Sequence, residues 1–167
     1  YKRQIEGRAT PYNTWTPIRN TFLEAIKPGT FKRSIDRRGA SIPLLWNHDQ
    51  AAPVGKALEW RDEPDGLYGL WQMDTRGKGA ELYDQVREGF VTGLSIGFSP
   101  IKNDHDRVQE DPPRITRVEA RLGEVSLVTV PAAEEAQVLH VRTRGLEVPA
   151  PRLAAARRYY ETKFANL

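Results

Sequence analysis

The stretch Gly93-Leu94-Ser95-Ile96-Gly97-Phe98 decides which fold the chain can adopt. Its first five residues match G-x-S-x-G, the strand-to-helix turn that carries the nucleophile of α/β-hydrolases. That turn needs a helix directly after the serine, but Pro100 follows five residues later and would break it. Alternating small and bulky side chains are instead typical of a strand. The pattern therefore predicts a strand with Ser95 between two glycines, on a face that leaves room for a substrate backbone.

Short apolar runs bounded by turn residues recur along the rest of the chain. They predict strands at 4–9, 40–46, 54–60, 67–73, 90–98, 114–121 and 122–130. Short helices are expected at 28–35, 79–88 and 132–138, and a polar loop at 103–113. The predicted fold class is β-rich α+β: a small closed or partly closed barrel of about seven strands flanked by helices.

The composition changes near the C-terminus. Residues 141–167 contain six basic and two acidic side chains, whereas the preceding 140 residues contain 19 basic and 20 acidic ones. Residues 144–151 are typical of a linker, and 152–164 predict a basic helix. We therefore expect a barrel domain over 1–141, followed by a linker and a basic helical tail over 142–167.

The composition also excludes several kinds of chemistry. The 167 residues include no cysteine and only three histidines, which argues against disulfides, thiol nucleophiles and zinc sites. No cofactor or metal ion is expected. No apolar run reaches the roughly 20 residues of a membrane span, and no signal peptide is expected.

Three residues are candidates for chemistry. Ser95 is either a nucleophile or a small residue packed at a tight strand crossing. His48 ends an apolar strand, where its imidazole can act as a general base from a cleft, or it is a surface turn residue beside Asp49. His105 is expected to be solvated, and His140 lies at the base of the predicted tail.

Glu124 is the third candidate. Strict alternation puts it on one strand face with Leu122, Ser126 and Val128. A carboxylate on an inward face costs several kcal/mol unless it is paired. Glu124 is therefore expected either to face solvent on an edge strand or to have a partner, for which an imidazole N–H is well suited.

Six phrases, in this order, resemble the prohead (procapsid maturation) serine proteases of tailed bacteriophages. They are Ile26-Lys27-Pro28-Gly29-Thr30-Phe31, Leu45-Trp46-Asn47-His48-Asp49, Val54-Gly55, Asp65-Gly66-Leu67, Gly93-Leu94-Ser95-Ile96-Gly97-Phe98, and Glu124-Val125-Ser126-Leu127-Val128 followed by Pro131. The resemblance spans residues 4–138. That family is distantly similar to herpesvirus assemblin, a β-barrel surrounded by helices with a His-Ser-His triad.

The resemblance implies a role for each candidate. Ser95 would be the nucleophile, His48 the general base and later acid, and Glu124 the group that orients the imidazole. Assemblin-type enzymes place arginines shortly after the third member to help hold the oxyanion. Residues 130–135 contain none. Backbone N–H groups or another side chain would have to stabilise the oxyanion instead.

The resemblance also implies partners and a place of action. The family acts inside the assembling procapsid in the host cytoplasm, where it removes the scaffolding segment of the major capsid protein and processes itself. The basic tail is then a candidate for autocleavage or for docking to scaffold or capsid protein, and dimerisation is a further possibility. Neither a membrane nor nucleic acid is expected as a partner.

Two other functions compete with this one. A non-catalytic capsid-associated β-barrel module would use Ser95 only for packing. A nucleic-acid-binding barrel is suggested by a pI near 9.3 and by Trp15, Trp46, Trp60 and Trp71. The slight negative charge of residues 1–140 argues against nucleic acid.

Overall fold

The computed structural model describes the backbone of residues 3–107, 109–143 and 146–149, and the side chains of 3–104 and 109–142. The strands in this part of the chain are β1 (Gln4–Pro11), β2 (Thr16–Ile18), β3 (Phe22–Ile26), β4 (Pro43–Trp46), β5 (Asp49–Glu63), β6 (Gly66–Met73), β7 (Gly93–Arg107), β8 (Arg114–Val128), β9 (Gln137–Thr143) and β10 (Leu146–Pro149). The helices are α1 (Lys32–Arg38) and α2 (Gly77–Glu88), with a 3₁₀ turn at Gly39–Ser41.

Seven of the described strands close into a barrel. Their order is β9-β1-β6-β5-β4-β8-β7, and β7 returns to β9 through the pair Gly93 and Gln137. Neighbouring strands in the barrel are antiparallel except β4 and β8, which run parallel. The β2–β3 hairpin extends the sheet beyond β8, and β10 pairs with β9. The prediction of a β-rich barrel of about seven strands with flanking helices is confirmed.

Apolar side chains fill the barrel because alternate residues of each strand point inward. The interior is formed by residues that are almost wholly buried, among them Ile5, Leu44, Val54, Trp71, Leu94, Val125, Leu127 and Val138. Helix α2 adds Leu82, Tyr83 and Val86 to this cluster. A second cluster contains Phe31, Ile42, Leu67, Ala120 and Leu122. Burial of each such Leu, Ile or Val side chain contributes about 1.5–3 kcal/mol to the stability of the fold. The two clusters therefore stabilise the strands that carry the site.

The sequence-based boundaries are wrong at several elements. The strands predicted at 114–121 and 122–130 are one long strand, β8, which ends at Val128, and β7 continues to Arg107 into the segment predicted as a loop. Pairing between β7 and β8 provides backbone partners for both, which outweighs local preferences. The short hairpin β2–β3 was not predicted.

Two predicted helices also differ from the structure. The first begins at Lys32 rather than at residue 28, because Gly29 adopts a φ of 82° in the turn before it. Residues 132–138 form a turn and the start of β9 instead of a helix. Strand β9 pairs with β1 and closes the barrel, a long-range interaction that local sequence does not contain.

The sheet extends past the predicted domain boundary at residue 141. Strand β9 runs to Thr143, and β10 occupies part of the predicted linker because its backbone pairs with β9. The predicted tail helix at 152–164 lies outside the described residues. Neither described helix is long and apolar enough to cross a bilayer.

Close contact between β1 and β9 at Gly7 gives a test of barrel closure. A Cβ at Gly7 would lie 2.9 Å from the backbone Cα of Val138 and would also press on Gln137 O. Backbone atoms cannot move aside as a side chain can, so Gly7→Ala is expected to lower the free energy of unfolding by about 1–3 kcal/mol. Urea denaturation of both proteins measures this; equal unfolding free energies would contradict the packing of β1 on β9.

Candidate active site

His48 lies in the tight turn between β4 and β5. Trp46 pairs with Asp49, and the two intervening residues, Asn47 and His48, have φ values of 48° and 61°. Positive φ at both central positions defines a type I′ turn, which suits the twist of a hairpin. Asn and His are among the residues that tolerate this conformation best. The turn lifts the imidazole off the barrel wall, with 46% of the side chain exposed.

Glu124 lies on β8 and is only 6% exposed. Its Oε1 atom lies 2.6 Å from His48 Nδ1, and its Oε2 atom accepts a hydrogen bond of 2.7 Å from the Ser126 hydroxyl. Both carboxylate oxygens therefore have a polar partner, as a buried carboxylate requires. The alternative of a solvent-facing Glu124 is wrong.

A β-bulge puts Glu124 on the face opposite Leu122. Gly97 pairs with Glu124 while the next residue, Phe98, pairs with Leu122, so Gly123 is an extra residue in β8. Leu122 packs in the second apolar cluster, and Glu124 points out of the core beside Ser126. The expectation that Leu122 and Glu124 share a face is wrong, because strict alternation does not anticipate a bulge.

Ser95 lies on β7 directly opposite Ser126 of β8. The Cβ atoms of such a pair are about 4.5–5.5 Å apart, and their side chains share one face. The backbone N–H of His48 donates to the Ser126 hydroxyl at 3.0 Å. Ser95, Ser126 and the His48 turn thus lie side by side on three adjacent strands, β7, β8 and β4.

Two atoms of this group are left without hydrogen bonds to the described residues: the hydroxyl oxygen of Ser95 and Nε2 of His48. Ser95 is largely buried but lines a cleft of about 120 Å³ whose other walls include Ala132, Ala133 and Ala136. Ser95 therefore borders a cleft beside β7, whose lining includes neither His48 nor Glu124.

Gly97 faces the carboxylate of Glu124 rather than a vacant substrate site. A Cβ on Gly97 would overlap Oε1 of Glu124. The expected open space beside Ser95 is therefore occupied on this side by Glu124. The glycine makes room for the carboxylate to reach His48.

Of the other two histidines, only His140 has a described side chain. His140 is on β9, paired in register with Glu6 of β1. His105 falls among residues whose side chains are not described. Within the described residues, no three His, Asp or Glu side chains come together as a metal site.

The sequence missed Ser126 as a member of the site. Its shared strand face with Glu124 was visible as an i, i+2 spacing, but nothing local showed that it also contacts the His48 turn 78 residues away.

The four tryptophans do not form an exposed aromatic surface of the kind that binds nucleic acid. Trp71 is buried, and Trp15, Trp46 and Trp60 are half-buried.

The fold is that of the herpesvirus proteases. The structure is similar to the varicella-zoster virus protease, with a TM-score of 0.52 and 15% identity over 96% of this chain and 78% of that one. It is also similar to the KSHV protease in complex with a hexapeptide phosphonate inhibitor, with a TM-score of 0.50 and 12% identity over 83% and 64%. At such low identity the likeness concerns the fold alone.

The chain belongs to the caudovirus prohead serine protease family, whose model matches residues 1–149. It is 30% identical over 141 residues to the prohead protease of Enterobacteria phage HK97, covering 83% of this chain and 60% of that protein. It is 28% identical over 151 residues to a capsid polyprotein of Pseudomonas phage PAJU2, covering 85% of this chain and 20% of that protein. The chain thus spans less than two thirds of each of these relatives.

The contact between Gly97 and Glu124 generates a prediction. In Gly97→Ala the new methyl group should displace the carboxylate and lengthen the 2.6 Å contact to His48 Nδ1. Crystal structures of the variant and the wild type measure this distance. Gly93→Ala is the matched control on the same strand, because its Cβ would meet Val128 O at 2.7 Å rather than Glu124. An unchanged contact in Gly97→Ala would contradict the assigned packing.

Proposed function

We propose that the chain is a serine endopeptidase of phage capsid maturation that works through Ser95, His48 and Glu124. The observation that carries this proposal is the 2.6 Å contact between His48 Nδ1 and Glu124 Oε1, with Ser95 on the same face of the neighbouring strand. An imidazole held at one nitrogen by a carboxylate keeps its other nitrogen ready to accept a proton from a hydroxyl.

Each group has one chemical task. His48 Nε2 takes the Ser95 proton as the hydroxyl oxygen attacks the scissile carbonyl carbon, and it then gives that proton to the leaving amine. Water hydrolyses the resulting acyl-enzyme with His48 again as the base. The negative charge of the Glu124 carboxylate attracts the positive imidazolium of His48. Because Glu124 is buried, this attraction is stronger than it would be in water.

Ser95 is a better nucleophile candidate than Ser126. The Ser126 hydroxyl is fully buried and already donates to Glu124 and accepts from His48 N–H. Ser95 lines the cleft, and its hydroxyl makes no hydrogen bond to a described residue. Of these two serines, Ser95 is the one that borders a cleft and whose hydroxyl is not bonded to a described residue.

The backbone N–H groups of Ala132 and Ala133 are the proposed oxyanion donors. Both residues line the cleft that contains Ser95, and neither N–H is bonded to a described residue. Backbone N–H donors can stabilise the developing negative charge in place of the arginines that this segment lacks.

The proposed substrate is the scaffolding segment of the major capsid protein, cleaved inside the assembling procapsid in the host cytoplasm. The relatives named prohead protease and capsid polyprotein support this assignment. A non-catalytic barrel module is less well supported, since packing alone gives no reason to hold a buried carboxylate against a half-exposed imidazole.

Substitution of the three residues tests the mechanism. Ser95→Ala and His48→Ala should each reduce peptide cleavage by about 10⁴–10⁶-fold, whereas Glu124→Ala should reduce it less, because an unaided imidazole can still accept the proton. The assay is co-expression with the capsid protein, with the mass of that protein measured by mass spectrometry.

Ser99→Ala is the matched control, because Ser99 is an exposed serine on the same strand. It should cleave as the wild type does. Cleavage at the wild-type rate by Ser95→Ala would exclude Ser95 as the nucleophile. Absence of cleavage by the wild type, with both proteins folded, would instead favour a structural module.

We also propose that the basic tail over 142–167, whose first residues pair in β9 and β10, is a site of self-processing. Incubation of the purified wild type should release peptides from residues 142–167, whereas Ser95→Ala should keep its full mass. Intact-mass spectrometry over time follows both proteins. An active enzyme that retains the whole tail would contradict self-removal.

A further inference from the structure

The Ser126 hydroxyl links two parts of the site that come from different strands. It donates to Glu124 Oε2 at 2.7 Å and accepts the backbone N–H of His48 at 3.0 Å. The residue is fully buried. One small side chain thus fixes both the carboxylate and the turn that bears the imidazole.

The two hydrogen bonds constrain the imidazole from both sides. The bond to Oε2 sets the rotation of the carboxylate, so that Oε1 faces His48 Nδ1. The bond to the His48 N–H sets the height of the type I′ turn above β8. A displacement of about 1 Å in a reacting group costs on the order of 10²-fold in rate, so both constraints matter for proton transfer.

We propose that Ser126 is a positioning residue that aligns His48 and Glu124 toward Ser95. This inference rests on the proposed protease function. Ser126 does not touch the substrate; it acts through the other two residues. Its loss should therefore lower kcat and leave KM close to the wild-type value.

The experiment compares Ser126→Ala and Ser126→Thr with the wild type, using a peptide from the capsid-protein cleavage site. Ser126→Ala removes the donor and the acceptor together, and its kcat should fall by about 10–100-fold. Ser126→Thr keeps the hydroxyl, and its kcat should recover most of the loss. If Ser126→Ala does not fold, Ser126→Cys replaces it, since its thiol fills the space of the hydroxyl and forms only weak hydrogen bonds.

A second readout does not depend on activity. The proton between His48 Nδ1 and Glu124 Oε1 should give a low-field ¹H NMR signal because the contact is short and involves a carboxylate. Ser126→Ala should weaken the signal or shift it upfield, and Ser126→Thr should retain it. A merely structural loss of stability would leave this signal in the folded fraction unchanged.

Ser34→Ala is the matched control. Ser34 is also a buried serine that binds β8, accepting the Leu122 N–H at 3.0 Å, but it lies outside the site. Ser34→Ala should lose stability and keep both kcat and the low-field signal.

Either of two results would overturn the inference. One is that Ser126→Ala keeps the wild-type kcat and the wild-type low-field NMR signal. The other is that Ser34→Ala loses as much kcat and as much of that signal as Ser126→Ala does. The protease function fails separately, when the wild type and Ser95→Ala are equally inactive. In that case the NMR experiment alone tests the inference. An unaltered low-field signal in Ser126→Ala refutes the positioning role, and an altered signal supports the conclusion that Ser126 aligns His48 with Glu124.

Discussion

The carboxyl group of Glu124 is buried on the outer face of β8, and such a group requires hydrogen-bond partners. Three local features give this carboxyl group its orientation, its space and its partner. The bulge at Gly123 turns Glu124 out of the core, the missing Cβ of Gly97 leaves it space, and the type I′ turn brings His48 to within 2.6 Å. The contacts that satisfy the Glu124 carboxylate therefore also orient the imidazole of His48.

Pairing of β8 with β4 on one side and with β7 on the other places these features side by side. Parallel pairing of β4 with β8 brings the turn after Trp46 next to Leu127, and antiparallel pairing of β7 with β8 brings Ser95 opposite Ser126. Strands hold side chains more rigidly than loops do, so β7 and β8 keep Ser95, Glu124 and Ser126 in place. The turn that carries His48 is held to β8 by the backbone N–H groups of Asn47 and His48. Fold and family give different information here. The fold extends to herpesvirus proteases at 12–15% identity, whereas the family is defined by the sequence itself.

Much of the fold was predictable because most strands bury one face, which leaves a period of two in the sequence. The predictions failed where pairing with distant strands decides the outcome. Residues 132–138 have a helix-like composition but enter β9 through contacts with β1. Strand β8 is one strand rather than two because β7 pairs along its length. Long-range pairing overrides local preference at both places.

The sequence by itself determined the family, the β-rich class and three candidate residues, because residue types and their order are local properties. It also excluded thiol chemistry, since the chain has no cysteine. Only the tertiary structure decided that Glu124 is buried, which face it occupies and that Ser126 binds both His48 and Glu124. The physical reason is that a bulge and a parallel strand pair set these contacts, and both depend on residues distant in the chain.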